Sequence, residues 1–442
     1  NLVVITIDTL RADRVSAYGY GRPTTPNIDR LASQAVLFER AYAQIPETLP
    51  SHASIFTDRF PASLRCVQNY TPLPDSALTL AEILRQQGYR TAAFVSHAVL
   101  ARSSNIHQGF QFLSDNFEVP ASEEELLSVP YRGLWRAQRV LREEAEISAE
   151  TVTSRALWWL SHRRREPFFL WVHLFSPHSP YLPPEPYRIK FRTDKDDLLA
   201  QINALYDGEV AYADAQCGRL LRALRPVRKR TLVCVLSDHG EGLGHKNYLL
   251  HAEFLYEPEL RIPFLMAGLG LPKNKRIPAL VHTVDLLPTV LELLQVPLPQ
   301  GATHQGVQGK SLLSLIRGEA TKPNDFICGQ RGTHPEPRSQ VLLAGPPVIL
   351  SPAQSFFILD VPGPSKLILG DDGRGELFDL RADPQEARNL ASDPSQQQAL
   401  QGLTERLRQI ERQWMEQAAP AEPAKALPSE IEEKLRALGY VR

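Results

Sequence analysis

Several short stretches of the sequence carry residue types that could do chemistry. An apolar run over residues 2–7 ends in Asp8, and another, over 231–237, ends in Asp238-His239-Gly240. Ser96 and His97 follow an apolar run over 91–95, while His173 and His178 follow one over 168–172. Each of these residues alone fits a capping or turn role equally well. Together they put two carboxylates and an imidazole on the loops that leave separate strands, a donor set that suits a divalent metal ion. Residues 47–57 (ETLPSHASIFT) add a hydroxyl, Thr48, at or just before a helix N-terminus. Amide groups and the helix dipole favour an anion there. A hydroxyl in that place could ligate the metal, lose its proton and attack phosphorus or sulfur. Alone, Thr48 is more simply an ordinary N-cap.

The elements that must position these residues are legible from periodicity. The apolar runs over 2–7, 91–95, 168–174, 231–236 and 263–267 are nearly uniformly hydrophobic, as strands covered on both faces are. Helical patterns alternate with them over 27–35, 78–87, 148–163, 205–224 and 284–294. The alternation predicts an α/β fold, a large doubly wound and mostly parallel sheet flanked by helices. In such sheets ligands collect where the strands end. After residue 315 the rhythm changes. Short strands over 355–360, 365–369 and 376–380 with tight turns predict a small antiparallel sheet. A helix over 397–417, a Pro/Ala linker over 418–428 and a last helix over 430–438 follow. The expected organisation is a catalytic unit over 1–315, a C-terminal subdomain over 316–417, and a linker with terminal helix over 418–442.

Composition narrows the function class. The 442 residues hold 49 Lys and Arg against 50 Asp and Glu, a formal charge of −1, which argues against nucleic acid as partner. With 43% hydrophobic and 22% charged residues the chain is neither disordered nor fibrous. No apolar run approaches the ~20 residues of a membrane helix. Cys66, Cys217, Cys234 and Cys328 lie far apart without a CxxC pair, so buried free thiols are expected. Trp158-Trp159 reads as packing, and His282 with Asp285 as a cap or surface contact.

In order along the chain, these motifs resemble the sulfatase family of the alkaline phosphatase superfamily. Residues 4–20 (VITIDTLRADRVSAYGY) are similar to its first metal motif, and 25–42 (TPNIDRLASQAVLFERAY) and 48–57 (TLPSHASIFT) to its helix and nucleophile segments. Residues 171–184 (WVHLFSPHSPYLPP) resemble its substrate-histidine strand. Residues 235–263, with SDHGEGLG and LYEPELRIP, resemble its second metal motif. HTVDLLPTVLELLQVPLP, ELFDLRADPQEARNL and LRALGYV resemble its closing segments. The resemblance implies that Asp8, Thr48, Asp238 and His239 hold one divalent metal ion (Ca, Mn, Mg or Zn) and that Thr48 is the nucleophile. It sets His52 beside that nucleophile, in the place of an arginine. It implies that Asn69, Ser96, His178 and His251 contact substrate oxygens or the leaving group. It also favours an exported protein, periplasmic or secreted.

Departures from the family pattern redirect the chemistry. Sulfatases carry Cys or Ser, matured to formylglycine, where this chain has Thr48, and Arg where it has His52. The setting T-x-P-S-H is more similar to the phosphodiesterase, phosphonate and head-group-transfer branches. Asp58, Leu64, Ser176 and Glu253 replace the Gly, His, Asp and His usual at those places. The expected function is metal-dependent hydrolysis of a sulfate or phosphate (di)ester, on a small molecule or carried by a glycan or lipid, through a covalent Thr48 intermediate. The alternatives are a phosphoryl head-group transferase and a catalytically inactive binding protein.

Overall fold

A computed structural model describes residues 1–69, 71–115, 146–163, 167–299, 308–333, 354–360 and 363–418. The expected linker and terminal helix after residue 418, and most of the 115–147 loop, lie outside the described residues. Eight strands form the large sheet: β1 (Leu2–Ile7), β2 (Val36–Tyr42), β3 (Arg90–Phe94), β4 (Phe112–Ser114), β5 (Phe168–Leu174), β6 (Leu232–Ser237), β7 (Arg261–Ala267) and β8 (Lys275–His282). Their spatial order is β4-β3-β5-β1-β6-β7-β2-β8. All neighbours pair in parallel except β7, which runs against both β6 and β2. The fold is thus the α/β arrangement expected, with one reversed strand.

Uniform hydrophobicity of the central strands follows from cover on both faces. Leu2 and Val4 point to the side where α2 (Thr48–Thr57), α3 (Leu80–Gln86) and α6 (Leu286–Leu294) pack. Val3, Ile5 and Ile7 point to the side of α1 (Pro26–Ala32), α4 (Ala149–Arg163) and α5 (Leu198–Ala223). Strands β2 and β8 were not among the runs picked out by apolarity. In β2 the polar pair Glu39-Arg40 interrupts the apolar run at a register shift, and β8 is an edge strand carrying Pro278 and a polar start.

A second sheet, β9 (Phe326–Arg331), β10 (Ser355–Asp360), β11 (Ser365–Gly370) and β12 (Gly375–Asp379), is antiparallel throughout, in the order β12-β11-β10-β9. It shares a core with the large unit: Phe60 and Val284 pack with Cys328, Ile358 and, from α7 (Gln397–Glu416), Leu407 and Trp414. Gly329 of β9 comes so close to Gln44 that a Cβ would lie 2.2 Å from its carbonyl oxygen. That contact seats β9 against the segment leading into α2.

Candidate active site

The parallel register brings the ends of β1 and β6 side by side, with Ile7 opposite Ser237. Asp8 and Asp238-His239 therefore leave the sheet together, and all three are fully buried. Their side chains are pinned except at one atom each. Asp238 Oδ1 accepts the amides of His239 (2.8 Å) and Thr9 (3.3 Å). His239 Nδ1 donates to the Gly240 carbonyl at 3.0 Å, which makes Nε2 the lone-pair nitrogen of the neutral ring. Among the described residues, Asp8 Oδ1, Asp238 Oδ2 and His239 Nε2 remain buried without hydrogen-bond partners. Nε2 lies 3.8 Å from that Asp8 oxygen and 3.6 Å from that Asp238 oxygen. Burial is the main reason the Asp8 carboxyl is pushed up to about 7, and that of Asp238 is also raised, with Asp8 adding to burial. Orphaned acceptors converging this way are what a divalent cation satisfies, so the residues fit one.

The backbone bends sharply to achieve this. Thr9 has φ 53°, a left-handed conformation that costs a β-branched residue of the order of 1–3 kcal/mol. Tyr206 Oη, donating to the Thr9 carbonyl at 2.7 Å, and Ser237 Oγ, accepting the Leu10 amide at 2.9 Å, hold the turn. Gly240 is required because a Cβ there would lie 1.9 Å from the Pro258 carbonyl oxygen.

Thr48 is the first residue of α2, one position past the N-cap Glu47, so its hydroxyl does not hold the N-cap position. Oγ1 lies 3.5 Å from Asp8 Oδ2 instead. The helix start offers little bare amide. Pro50 has none, and the Leu49 amide donates to Asn69 Oδ1 at 2.9 Å, which leaves the Thr48 amide. Asn69 is itself held by its amide on Glu47 Oε2 at 2.8 Å.

His52 lies beneath Thr48. Its Nδ1 donates to the Thr48 carbonyl at 2.7 Å and its Nε2 accepts from Thr6 Oγ1 at 3.0 Å, with no exposed surface. Burial, with His173 adding, pushes its pKa down to about 4, so the ring is neutral. Ser96 is also fully buried, its hydroxyl on the His173 carbonyl at 2.5 Å. Both residues face inward and have their polar atoms engaged by protein groups.

His178 and His251 form the opposite wall, ring centroids 4.9 Å apart, with His251 4.6 Å from His239. His178 Nδ1 donates to the Ser179 carbonyl at 2.5 Å, and burial holds its pKa well below the usual range. His251 Nδ1 lies 3.1 Å from Oε1 of the fully buried Glu241. Burial pushes the Glu241 carboxyl up to about 8. His97 caps the next turn through Nδ1 and stacks on Phe175 at 4.2 Å.

Two side chains at the site were not assigned from sequence. His173 Nε2 is 3.2 Å from Asp8 Oδ2; the sequence shows it only as a polar residue following the apolar run 168–172, whereas it lies within β5. Glu241 lies in the GEG stretch after His239 and carried no spacing signal. His52, His173 and Asp238 form a second cluster with metal-ligand atoms. Its imidazoles are engaged by Thr48, Thr6, Asp8 and Ser96, so it reads as a hydrogen-bond network.

Three of the family departures have structural work. Asp58 ends α2 at φ 58° and accepts the Gly309 amide, and Leu64 is 2% exposed in the core. Glu253 is buried 4.0 Å from Arg331. These replacements leave the Asp8–Asp238–His239 centre intact.

The sulfatase family profile matches residues 1–296. The chain belongs to the sulfatase family. It is 25% identical to an arylsulfatase of Clostridium perfringens over 88% of this chain and 90% of that protein. It is also 25% identical to the multifunctional alkaline phosphatase superfamily protein PehA of Trinickia caryophylli, over 89% and 92%. Among solved structures, a phosphonate monoester hydrolase of Agrobacterium radiobacter superposes with TM-score 0.72 at 20% identity, covering 94% of this chain and 96% of that one. A putative sulfatase from Bacteroides thetaiotaomicron gives 0.73 at 20%, covering 97% and 95%. This sulfatase-family chain is accordingly placed among ester hydrolases, and no described helix is long and apolar enough to cross a membrane.

Proposed function

We propose that this sulfatase-family protein is a metal-dependent hydrolase in which Thr48 is the nucleophile, and that it prefers phosphodiesters or phosphonate esters to sulfate esters. The observation that carries this reading is the Thr48 hydroxyl, 3.5 Å from Asp8 beside three orphaned ligand atoms and not used as a helix cap. Asp8, Asp238 and His239 would hold the ion, with Thr48 adjoining. A divalent cation bound there neutralises charge on the ester oxygens and makes a nearby hydroxyl more acidic.

The chain's own groups supply the rest. Asn69, on the Leu49 amide, and His52, on the Thr48 carbonyl, fix Thr48 in place. Thr48 Oγ1 loses its proton to solvent and bonds to phosphorus while the bond from phosphorus to the leaving oxygen breaks. The leaving oxygen takes a proton from His251, whose other nitrogen faces Glu241. Water, giving a proton to the now neutral His251, then attacks the Thr48 ester in line, and the departing Thr48 oxygen takes a proton back from solvent as product is released. His178, neutral by burial, lines the leaving-group side.

The preference follows from how such an ester can be broken down. A formylglycine hydrate expels sulfate by C–O cleavage, an exit that a threonine ester lacks. A phosphoryl ester can be opened by attack at phosphorus. The test is kcat/KM for a matched aryl phosphodiester and aryl sulfate on one metal-loaded sample. We expect the phosphodiester to be turned over faster, and a clear preference for the sulfate would overturn the reading.

A further inference from the structure

Where β7 begins and β2 ends, on the same rim of the large sheet as the catalytic cleft, lies a cavity of about 390 Å³, a size typical of small-molecule sites. Large and small sheets both line it, and its lining is rich in guanidinium groups. Two carboxylates stand in the lining, Asp13 and Glu257, and both have cationic partners. Asp13 takes Arg11 Nε at 2.8 Å and Nη2 at 2.6 Å. Glu257 takes Lys366 Nζ at 3.1 Å, an ammonium it shares with Glu386 at 2.8 Å, and the Tyr42 hydroxyl at 2.8 Å.

Arg40, Arg261 and Arg381 are left over. None has an ion pair among the described residues. Arg40 Nε donates to the Pro278 carbonyl at 2.7 Å, and Arg261 Nε and Nη2 donate to the Glu39 carbonyl at 3.3 and 3.0 Å. Neutral carbonyls thus fix the planes of two guanidinium groups without cancelling their charge. Such preoriented forks match tetrahedral or carboxylate oxyanions. His245, also in the lining, keeps a buried Nε2 without a hydrogen-bond partner among the described residues. Burial first, and then the charges of Arg11, Lys246 and Lys366, push its ring down to about 4, consistent with a positive local field.

We infer that this cavity is a second anion site, separate from the catalytic centre, that takes a sulfate or phosphate group, free or attached to a body of sugar size. Arg40 and Arg261 grip the oxyanion, and Arg381 closes the side formed by the small sheet.

Calorimetric titration with inorganic sulfate tests this without reference to turnover, with a sulfated monosaccharide as a second titrant to separate a free ion from a carried group. The wild-type chain is expected to show a saturable site beyond any that competes with ester substrate in the cleft. In Arg40→Gln/Arg261→Gln that site weakens by about tenfold or more, since two charge-assisted contacts are lost, while the competitive inhibition constant for sulfate stays the same. The Arg381 side chain makes no hydrogen bond among the described residues, so Arg381→Gln serves as a second variant with a smaller weakening should the double variant not fold. Tighter binding of the monosaccharide than of inorganic sulfate assigns a carried group, and equal binding a free ion. A wild-type titration fully accounted for by the cleft site, or sulfate binding equal in wild type and Arg381→Gln, would overturn the assignment.

Discussion

His173 Nε2 lies 3.2 Å from Asp8 Oδ2, with both side chains fully buried. The amide of Ser96 reaches the other ring nitrogen at 3.4 Å, so Nδ1 is the acceptor and Nε2 carries the proton. His173 therefore donates to one oxygen of Asp8 and leaves Oδ1 for the ion, as partners behind metal ligands commonly do.

Replacing that donor should loosen the metal without destroying the fold. His173→Ala is expected to weaken divalent metal affinity by about 10- to 100-fold in a chelator-competition titration. An unchanged affinity would reduce His173 to packing.

Asp8 and Asp238 bring two buried carboxylates together, and the metal-free protein bears their repulsion. Asp238→Asn keeps an oxygen for the His239 and Thr9 amides but removes a charge. Elemental analysis should find its metal content near zero. The metal-free variant should be more stable than the metal-free wild type, by of the order of 1 kcal/mol in denaturant unfolding. Metal retained at wild-type content would contradict the ligand assignment.

Asn69 separates two roles in one side chain. Its Oδ1 accepts the Leu49 amide, while its Nδ2 donates to no acceptor among the described residues. Asn69→Asp keeps the acceptor and loses the donor, so stability should hold while turnover falls by about tenfold or more. Asn69→Ala should lose about 1–2 kcal/mol of stability as well. Full activity in Asn69→Asp would show that Nδ2 touches no substrate.

His282 governs part of the acid sensitivity. Burial, with Lys310 adding, pushes its ring from 6.5 down to about 3, and its Nε2 accepts the Cys328 amide at 3.1 Å. Between pH 6.5 and 3 the unfolded chain holds this proton and the folded chain does not. Stability from this group is therefore fully present above pH 6.5 and falls by about 1.4 kcal/mol per unit as the pH drops through that window. His282→Gln, which can still accept the amide, should show a flatter loss from pH 6.5 to 4 in unfolding titrations. Parallel curves for the two proteins would remove His282 from the account.

Much of this architecture could be read before any coordinates, for identifiable reasons. Strands β1, β5 and β6 are covered on both faces, so burial forces an unbroken apolar run, and the polar residues at their ends stand out. β2, β8 and β9 left no such mark, because Glu39-Arg40, Pro278 and Gly329-Gln330 break their patterns. At the site, motif spacing pointed to Asp8, Thr48, Asp238 and His239, but not to which atoms face inward. The inward roles of His52 and Ser96 depend on helix phase and strand register, where a side chain's depth is set by packing and not by spacing. The partnership of His173 with Asp8 joins residues 165 positions apart across paired strands, a relation only register can show.

The central claim is that Thr48 forms the covalent ester, and the turnover of Thr48→Ala measures it most directly. With an aryl phosphodiester and saturating divalent metal, kcat should fall by at least ~10³-fold, because the attacking oxygen is gone while Asp8, Asp238 and His239 remain. Activity near that of the wild type would contradict the account.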